Sequence, residues 1–286
     1  MRTGYVGRFA PSPTGPLHFG SLVTGLASFL SARHAGGTWL LRIEDLDPPR
    51  ESLSAPSEII TQLRSFQLYF DGEVTYQSKR QAIYRSAFTQ LLDLGLIYPC
   101  ICSRKGTPRI YPGTCRTRSI DPGQNCALRL KIGAGVIEFN DDLFGHQTWD
   151  LDREVGDFVI QRRDGLIAYQ FAVVVDDHAA GITHVVRGSD LLDSTAKQLI
   201  VYRSLGAAPP TYLHVPIIVD ANGEKLSKQA HSPPIGTSDT LTTLRAALAQ
   251  LRQSQHMECT TMTELLQRAI KSWQPQAIPK LMQLSI

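Results

Sequence analysis

Residues 8–21 read Arg8-Phe9-Ala10-Pro11-Ser12-Pro13-Thr14-Gly15-Pro16-Leu17-His18-Phe19-Gly20-Ser21. The stretch joins two patterns of different period. Residues 5–10 have the composition of a short strand, whereas Leu22, Leu26, Phe29 and Leu30 fall at i, i+4, i+7 and i+8, the apolar stripe of an amphipathic helix. Prolines stiffen the linking loop, and Gly15 and Gly20 let a ligand approach the backbone. A helix that starts at such a loop offers free N–H groups and a partial positive charge, which suit a phosphate. The plainer reading is a rigid turn in which His18 caps the helix. Gly36 and Gly37 end the helix, and residues 38–43 form a second β-rich run. A strand, helix, strand unit with a parallel crossover is therefore expected, the opening of an α/β nucleotide-binding fold.

Further along, Ile59, Leu63 and Phe66 keep helical spacing, and Ser78 with Gln81 reads as the capping box of a helix that runs to about Leu94. The texture changes between residues 98 and 150, where cysteines, glycines, Pro108, Pro112 and Pro122 break the periodicity. An inserted, loop-rich module is expected there, held by something other than a large core. Alternation returns at Ile182, His184 and Val186. Ser189 reads as the cap of a helix carrying Leu192, Ala196, Leu199 and Tyr202, and residues 213–219 read as one strand closed by the Asn222-Gly223 turn. The chain thus divides into 1–97 and 169–235, two halves of one catalytic domain, with 98–168 inserted and a short helical region over 236–286. Leu241, Leu244, Leu248 and Leu251 mark one helical face of that last region, and Leu265, Leu266 and Ile270 another.

A chain of 286 residues with 42% hydrophobic and 19% charged residues excludes extensive disorder and fibrous structure. No apolar run reaches the roughly 18 residues of a membrane span. The early Gly4, Gly7, Arg8 and Pro11 interrupt anything like a signal peptide, so a cytoplasmic location is expected. A net charge of +3 is too mild to mark a nucleic-acid binder by bulk charge, although it leaves room for a local basic patch. The chain has five cysteines, an odd number, and Cys100, Cys102 and Cys115 lie close together, which points to metal before disulfides.

After the Asn222-Gly223 turn the chain continues Glu224-Lys225-Leu226-Ser227-Lys228-Gln229, and two lysines there can follow the charge of a triphosphate as pyrophosphate departs. His18-Phe19-Gly20-Ser21 resembles the HIGH signature, and Lys225 to Gln229 the KMSKS signature, of class I aminoacyl-tRNA synthetases. The surrounding residues 8–18, with Arg42-Ile43-Glu44-Asp45-Leu46-Asp47, are similar to the glutamyl branch. The resemblance extends to about residue 235. Ser21 and Gln229 depart from the signatures. The resemblance implies a Rossmann-type α/β catalytic fold that takes ATP, with Mg2+, and L-glutamate.

A substrate with one ammonium and two carboxylates calls for guanidinium groups and one acid. By resemblance, Arg8 and Arg187 meet the carboxylates, Glu44 the ammonium, and Tyr169 is an orienting hydroxyl beside the returning strand; Ala10 and Ser12 complete that pocket. ATP falls by the same resemblance to Pro11, His18, Gly20, Ser21, Lys225, Ser227 and Lys228, with His18 and Lys228 catalytic. Asp45 and Asp47 read instead as loop caps and partners of arginines, and His178 of Asp176-Asp177-His178 as a structural residue.

Cys100, Cys102 and Cys115 offer three thiolates to one tetrahedral zinc ion per chain. The fourth ligand is open among Cys126, Tyr111 and His146. Composition favours Cys126, while the resemblance favours Tyr111, because Tyr111-Pro112-Gly113-Thr114-Cys115 matches a zinc-binding pattern. Residues 236–286 are far shorter than the stem-contact and anticodon-binding regions of the glutamyl branch. That implies a short paralogue, expected to be a monomer, which activates glutamate without tRNA and transfers it to the queuosine base in the anticodon of tRNA(Asp). The alternatives are a minimal enzyme that charges a tRNA acceptor end and a catalytically silent binding module.

Overall fold

Residues 4–103, 105–121, 125–224, 234–253 and 258–285 are described by the computed structural model. The unit expected from the sequence forms from β1 (Val6–Phe9), α1 (Phe19–His34) and β2 (Thr38–Ile43), and β1 pairs in parallel with β2, Arg8 opposite Leu40. The stripe of α1 is turned inward, with Leu22, Leu26 and Leu30 at most 1% exposed. Each such leucine stabilises the fold by about 2 kcal/mol. After α2 (Ala55–Ser65), β3 (Thr75–Tyr76) adds to β2, again in parallel.

The helix α3 (Gln81–Asp93) forms, but without the expected capping box. Ser78 lies in a preceding 3-10 turn, where its amide and hydroxyl donate to Asp45 at 2.9 and 2.6 Å. A carboxylate supplied by the fold is a stronger acceptor than a neutral oxygen in the same turn.

The inserted segment is more regular than its composition suggests. β4 (Ile97–Cys100), β5 (Ala127–Leu130) and β8 (Phe158–Gln161) make an antiparallel sheet in the order β4-β5-β8. β6 (Val136–Asp141) and β7 (Gly145–Asp150) form a hairpin, whose turn is held by Asp141 accepting the amides of Leu143 and Phe144. The loop-rich texture is confined to residues 101–126, whose described members lie in no helix or strand.

The returning half contains α4 (Tyr169–Ala180), β9 (His184–Gly188), α5 (Leu192–Ser204) and β10 (Thr211–Val215). β10 lies parallel to both β9 and β6, giving the order β7-β6-β10-β9. Ser189 does not cap α5; its hydroxyl donates to the carbonyl of Met282, and a 3-10 turn precedes the helix. Residues 213–219 do not make one strand either. Pro216, which lacks an N–H, separates β10 from β11 (Ile217–Val219), and β11 leaves to pair with β12 (Gln283–Ser285).

Thr183 joins the two halves: its amide donates to Val6 O at 2.9 Å, and its hydroxyl accepts the Val6 amide at 2.8 Å. The chain leaves β1 for β2 on one side and meets β9 on the other, so the strand order reverses between β1 and β9. Open α/β sheets bind ligands in the crevice beyond the carboxyl ends of the strands at such a point. α6 (Thr240–Gln250) and α7 (Met262–Lys271) share one core with α1, and the Trp273 indole donates to Ser31 Oγ at 3.1 Å. Among the described residues no helix is long and apolar enough to cross a membrane.

Candidate active site and thiol cluster

The crevice between β1 and β9 opens into a cavity of about 360 Å³. Arg8, near the end of β1, lines it together with Ala10, Pro11 and Ser12 of the following loop. His18, Gly20 and Ser21 contribute the start of α1, and Glu44 stands just past β2. Arg187 comes from the end of β9. Tyr169 also lines the cavity, but from the first residue of α4 and not from beside the strand. Ten residues named from the sequence thus line one space. Lys225, Ser227 and Lys228 lie outside the described residues.

The loop is held from behind by Gln62, which the sequence reading missed. Its Oε1 accepts the Leu17 amide at 2.7 Å, and its Nε2 donates to Leu17 O at 3.3 Å and Ile235 O at 3.2 Å. His18 does cap α1, accepting the Ser21 amide on Nδ1 at 3.3 Å, while its Nε2 lies 2.9 Å from Ser21 Oγ. A Cβ on Gly20 would approach the His18 ring to 3.2 Å, so the small residue keeps this helix start open.

Beneath the cavity lies a buried chain of charges. Arg8 Nε donates to Asp177 Oδ1 at 3.1 Å and its Nη2 to Oδ2 at 3.3 Å. Arg42 Nη1 donates to the same Asp177 Oδ1 at 2.6 Å, and Arg42 Nη2 to Glu44 Oε1 at 3.1 Å. Burial alone would raise the pKa of Asp177, but Arg42 and Arg8 outweigh it and hold the carboxyl below its ordinary range. For Glu44 burial wins, and its pKa is raised against the pull of Arg42 and Arg8. A cation arriving beside Glu44 would favour its charged form, which suits an ammonium ligand.

Neither Asp177 nor Arg42 was singled out from the sequence, although strand alternation puts Arg42 and Glu44 on one face. In Asp176-Asp177-His178 the two aspartates are buried and His178 is exposed. Asp176 accepts from Gln77 and Tyr84, both at 2.7 Å, and from Arg80. Asp45 caps the Ser78 turn and Asp47 pairs with Arg50 and Arg162, as structural readings of both require.

A second constellation lies beyond the end of β4. The sulfurs of Cys100, Cys102 and Cys115 are all within 4.8 Å of one another, with Cys102 and Cys115 3.5 Å apart. Tyr111 Oη stands 3.4 Å from Cys100 Sγ and 3.4 Å from Cys102 Sγ, and accepts the Cys115 amide at 3.0 Å. Tetrahedral zinc with sulfur ligands at about 2.3 Å sets sulfurs roughly 3.8 Å apart, so the spacing fits that ion. Burial pushes the Cys100 thiol up, but its hydrogen bonds with Tyr111 and Arg129 outweigh it and bring its pKa down to about 7. Cys126 is not in the group, and His146 pairs with Glu138 on the β6–β7 hairpin. The cluster is tied to the sheet by Asp157, which accepts Arg116 Nε and Nη2, each at 2.6 Å, and the Ile132 amide at 2.9 Å.

Residues 5–106 and 114–272 match the family of class I tRNA synthetases (E and Q), catalytic domain. A glutamyl-Q tRNA(Asp) synthetase of Chromobacterium violaceum is 48% identical over 284 residues, which cover 96% of this chain and 95% of the relative. One of Burkholderia cenocepacia is 52% identical over 265 residues, 88% of this chain and 89% of the relative. The chain belongs to the glutamyl-Q tRNA(Asp) synthetase family. Among solved structures, this family member is similar to a glutamate tRNA ligase of Elizabethkingia meningosepticum in complex with its amino acid. The TM-score is 0.82 at 25% identity, covering 97% of this chain and 66% of the ligase. The α/β fold is therefore that of a class I synthetase.

Proposed function

We propose that the protein activates L-glutamate with ATP, without tRNA, and transfers it to the queuosine base in the anticodon of tRNA(Asp). What supports this reading is a cavity at the strand-order reversal that collects Arg8, Arg187 and Glu44 in a chain so close to the glutamyl-Q relatives over nearly their whole length. The two guanidinium groups take the substrate carboxylates and Glu44 takes the ammonium. Ala10 and Ser12 supply the adjoining wall and Tyr169 a hydroxyl. Pro11, His18, Gly20 and Ser21 receive ATP at the start of α1, where backbone N–H groups favour phosphate.

A glutamate carboxylate oxygen attacks the α-phosphorus, a new P–O bond forms and pyrophosphate leaves. Lys225, Ser227 and Lys228 follow the departing charge, part of which Mg2+ would neutralise when bound. A hydroxyl of the queuosine cyclopentene diol then attacks the acyl carbon and releases AMP. Cys100, Cys102, Cys115 and Tyr111 would hold one zinc ion, which would supply a structural tether to the segment that follows β4. The protein acts as a cytoplasmic monomer.

The test is radiolabelled glutamate with queuosine-containing tRNA(Asp) and with its isolated anticodon stem-loop. Label is expected on both RNAs and absent from the same RNAs lacking queuosine. Label on the terminal adenosine of queuosine-free tRNA would instead make the protein a minimal enzyme charging an acceptor end.

A further inference from the structure

Arg187 is held by more partners than a substrate-binding arginine needs. Its Nε donates to His214 Nε2 at 2.9 Å, its Nη1 to Gln198 Oε1 at 2.7 Å, and its Nη2 to Thr195 Oγ1 at 2.8 Å and Leu191 O at 3.3 Å. A guanidinium has five N–H groups, so these bonds commit four of them and, among the described residues, leave one, on Nη1.

Arginine can only donate, so His214 Nε2 must carry a lone pair and its proton must sit on Nδ1. That nitrogen lies 2.6 Å from Asp141 Oδ2. Asp141 is itself fixed by three backbone amides: Oδ2 accepts from His214 at 3.1 Å, and Oδ1 from Leu143 at 3.0 Å and Phe144 at 2.9 Å. Asp141, His214 and Arg187 are 3%, 0% and 4% exposed, so water cannot substitute for any of these partners. Burial lowers the pKa of His214 against the pull of Asp141, which keeps the ring neutral beside the guanidinium.

We propose that Asp141 and His214 are positioning residues for the amino-acid substrate, aiming Arg187 so that its one remaining N–H meets a substrate carboxylate. The inference rests on the reading of Arg187 as a carboxylate ligand. A guanidinium tethered in this way has little rotamer freedom left to lose on binding. The turn of the β6–β7 hairpin, far along the chain from the first loop, thereby becomes part of substrate recognition.

The test combines glutamate-dependent pyrophosphate exchange with nitrogen NMR of the histidine rings in the intact protein. His214→Phe removes the acceptor and keeps a flat ring, and is expected to raise the KM for glutamate about tenfold or more, leaving the KM for ATP and kcat within about threefold. His214→Gln restores an acceptor near the Nε2 position and should recover most of the loss. The unaltered protein should show His214 protonated on Nδ1. An unchanged glutamate KM in the Phe variant, an equal rise in both KM values, or a proton on Nε2 would overturn the inference. The absence of any glutamate-dependent exchange in the unaltered protein would instead overturn the functional reading on which it rests.

Discussion

Replacing Asp177 by Asn keeps the shape of the side chain and removes the charge that two arginines share. The side chains of Arg8, Arg42 and Asp177 are 4%, 4% and 5% exposed, so solvent cannot take the place of the lost carboxylate. Breaking a buried ion pair by removing one partner costs about 3–5 kcal/mol. Glu44 still faces Arg42 at 3.1 Å, which puts the expected loss near the lower end, about 3 kcal/mol. For a chain of this length that lowers the melting temperature by about 5 °C. Because Arg8 also loses the brace on its Nε and Nη2, the KM for glutamate should rise in the same variant. Thermal melts by circular dichroism and glutamate-dependent exchange measure the two effects. Glu258→Gln, which breaks the exposed pair with Arg268, serves as the control and should cost no more than about 1 kcal/mol. An Asp177→Asn protein that melts within about 1 °C of the parent with an unaltered glutamate KM would refute the coupling of these charges.

Acid should erase the difference between those two proteins. Asp177 titrates below the ordinary carboxylate value, so its contribution to stability is present above about pH 4 and is lost as pH falls through its folded pKa; the gap in melting temperature should close in that window. Elemental analysis should find about one zinc per chain, reduced by Cys100→Ser or Cys115→Ser. Zinc kept by Tyr111→Phe and lost by Cys126→Ser would reassign the fourth ligand. Lys228→Ala should slow pyrophosphate exchange about a hundredfold with an unchanged melting temperature, the cost of one charged contact to a departing phosphate.

Period and punctuation made much of the architecture readable. The strand, helix, strand opening, the helices near residues 59–66 and 81–94, and both C-terminal helices follow from apolar spacing and terminal glycines. The failures have a common cause, partners that arrive from elsewhere in the fold. Ser78 and Ser189 look like helix caps until Asp45 and the Met282 carbonyl take their hydroxyls. The β6–β7 hairpin was hidden because Gly145 and the turn-forming Asp141 gave residues 136–150 the same broken texture as their neighbours. Ten cavity-lining residues could be named from motif resemblance, whereas Asp177, Arg42, Gln62, Asp141 and His214 could not. Arg42 lies inside a quoted motif without a role assigned to it, and the importance of all five lies in pairings distant in sequence, such as the 169 positions between Arg8 and Asp177 and the 173 between Gln62 and Ile235.

The bonding of β1 to Thr183, just ahead of β9, carries a consequence for how the chain is made. Val6 and Thr183 are 177 positions apart, so a nascent chain emerging from the ribosome displays β1 as an open edge while the whole inserted segment is still being synthesised. Closing a loop of that length comes late and slows folding. Until the returning half docks, the backbone N–H and C=O groups of β1 remain available to any other extended strand, the condition under which edge-to-edge aggregation begins. Arg8, which lies on β1 and is still without Asp177 during that interval, leaves an uncompensated positive charge on this unfinished strand. Charge of one sign opposes pairing with a second copy of the same strand, so the arginine that later lines the cavity first works against self-association of the half-made sheet.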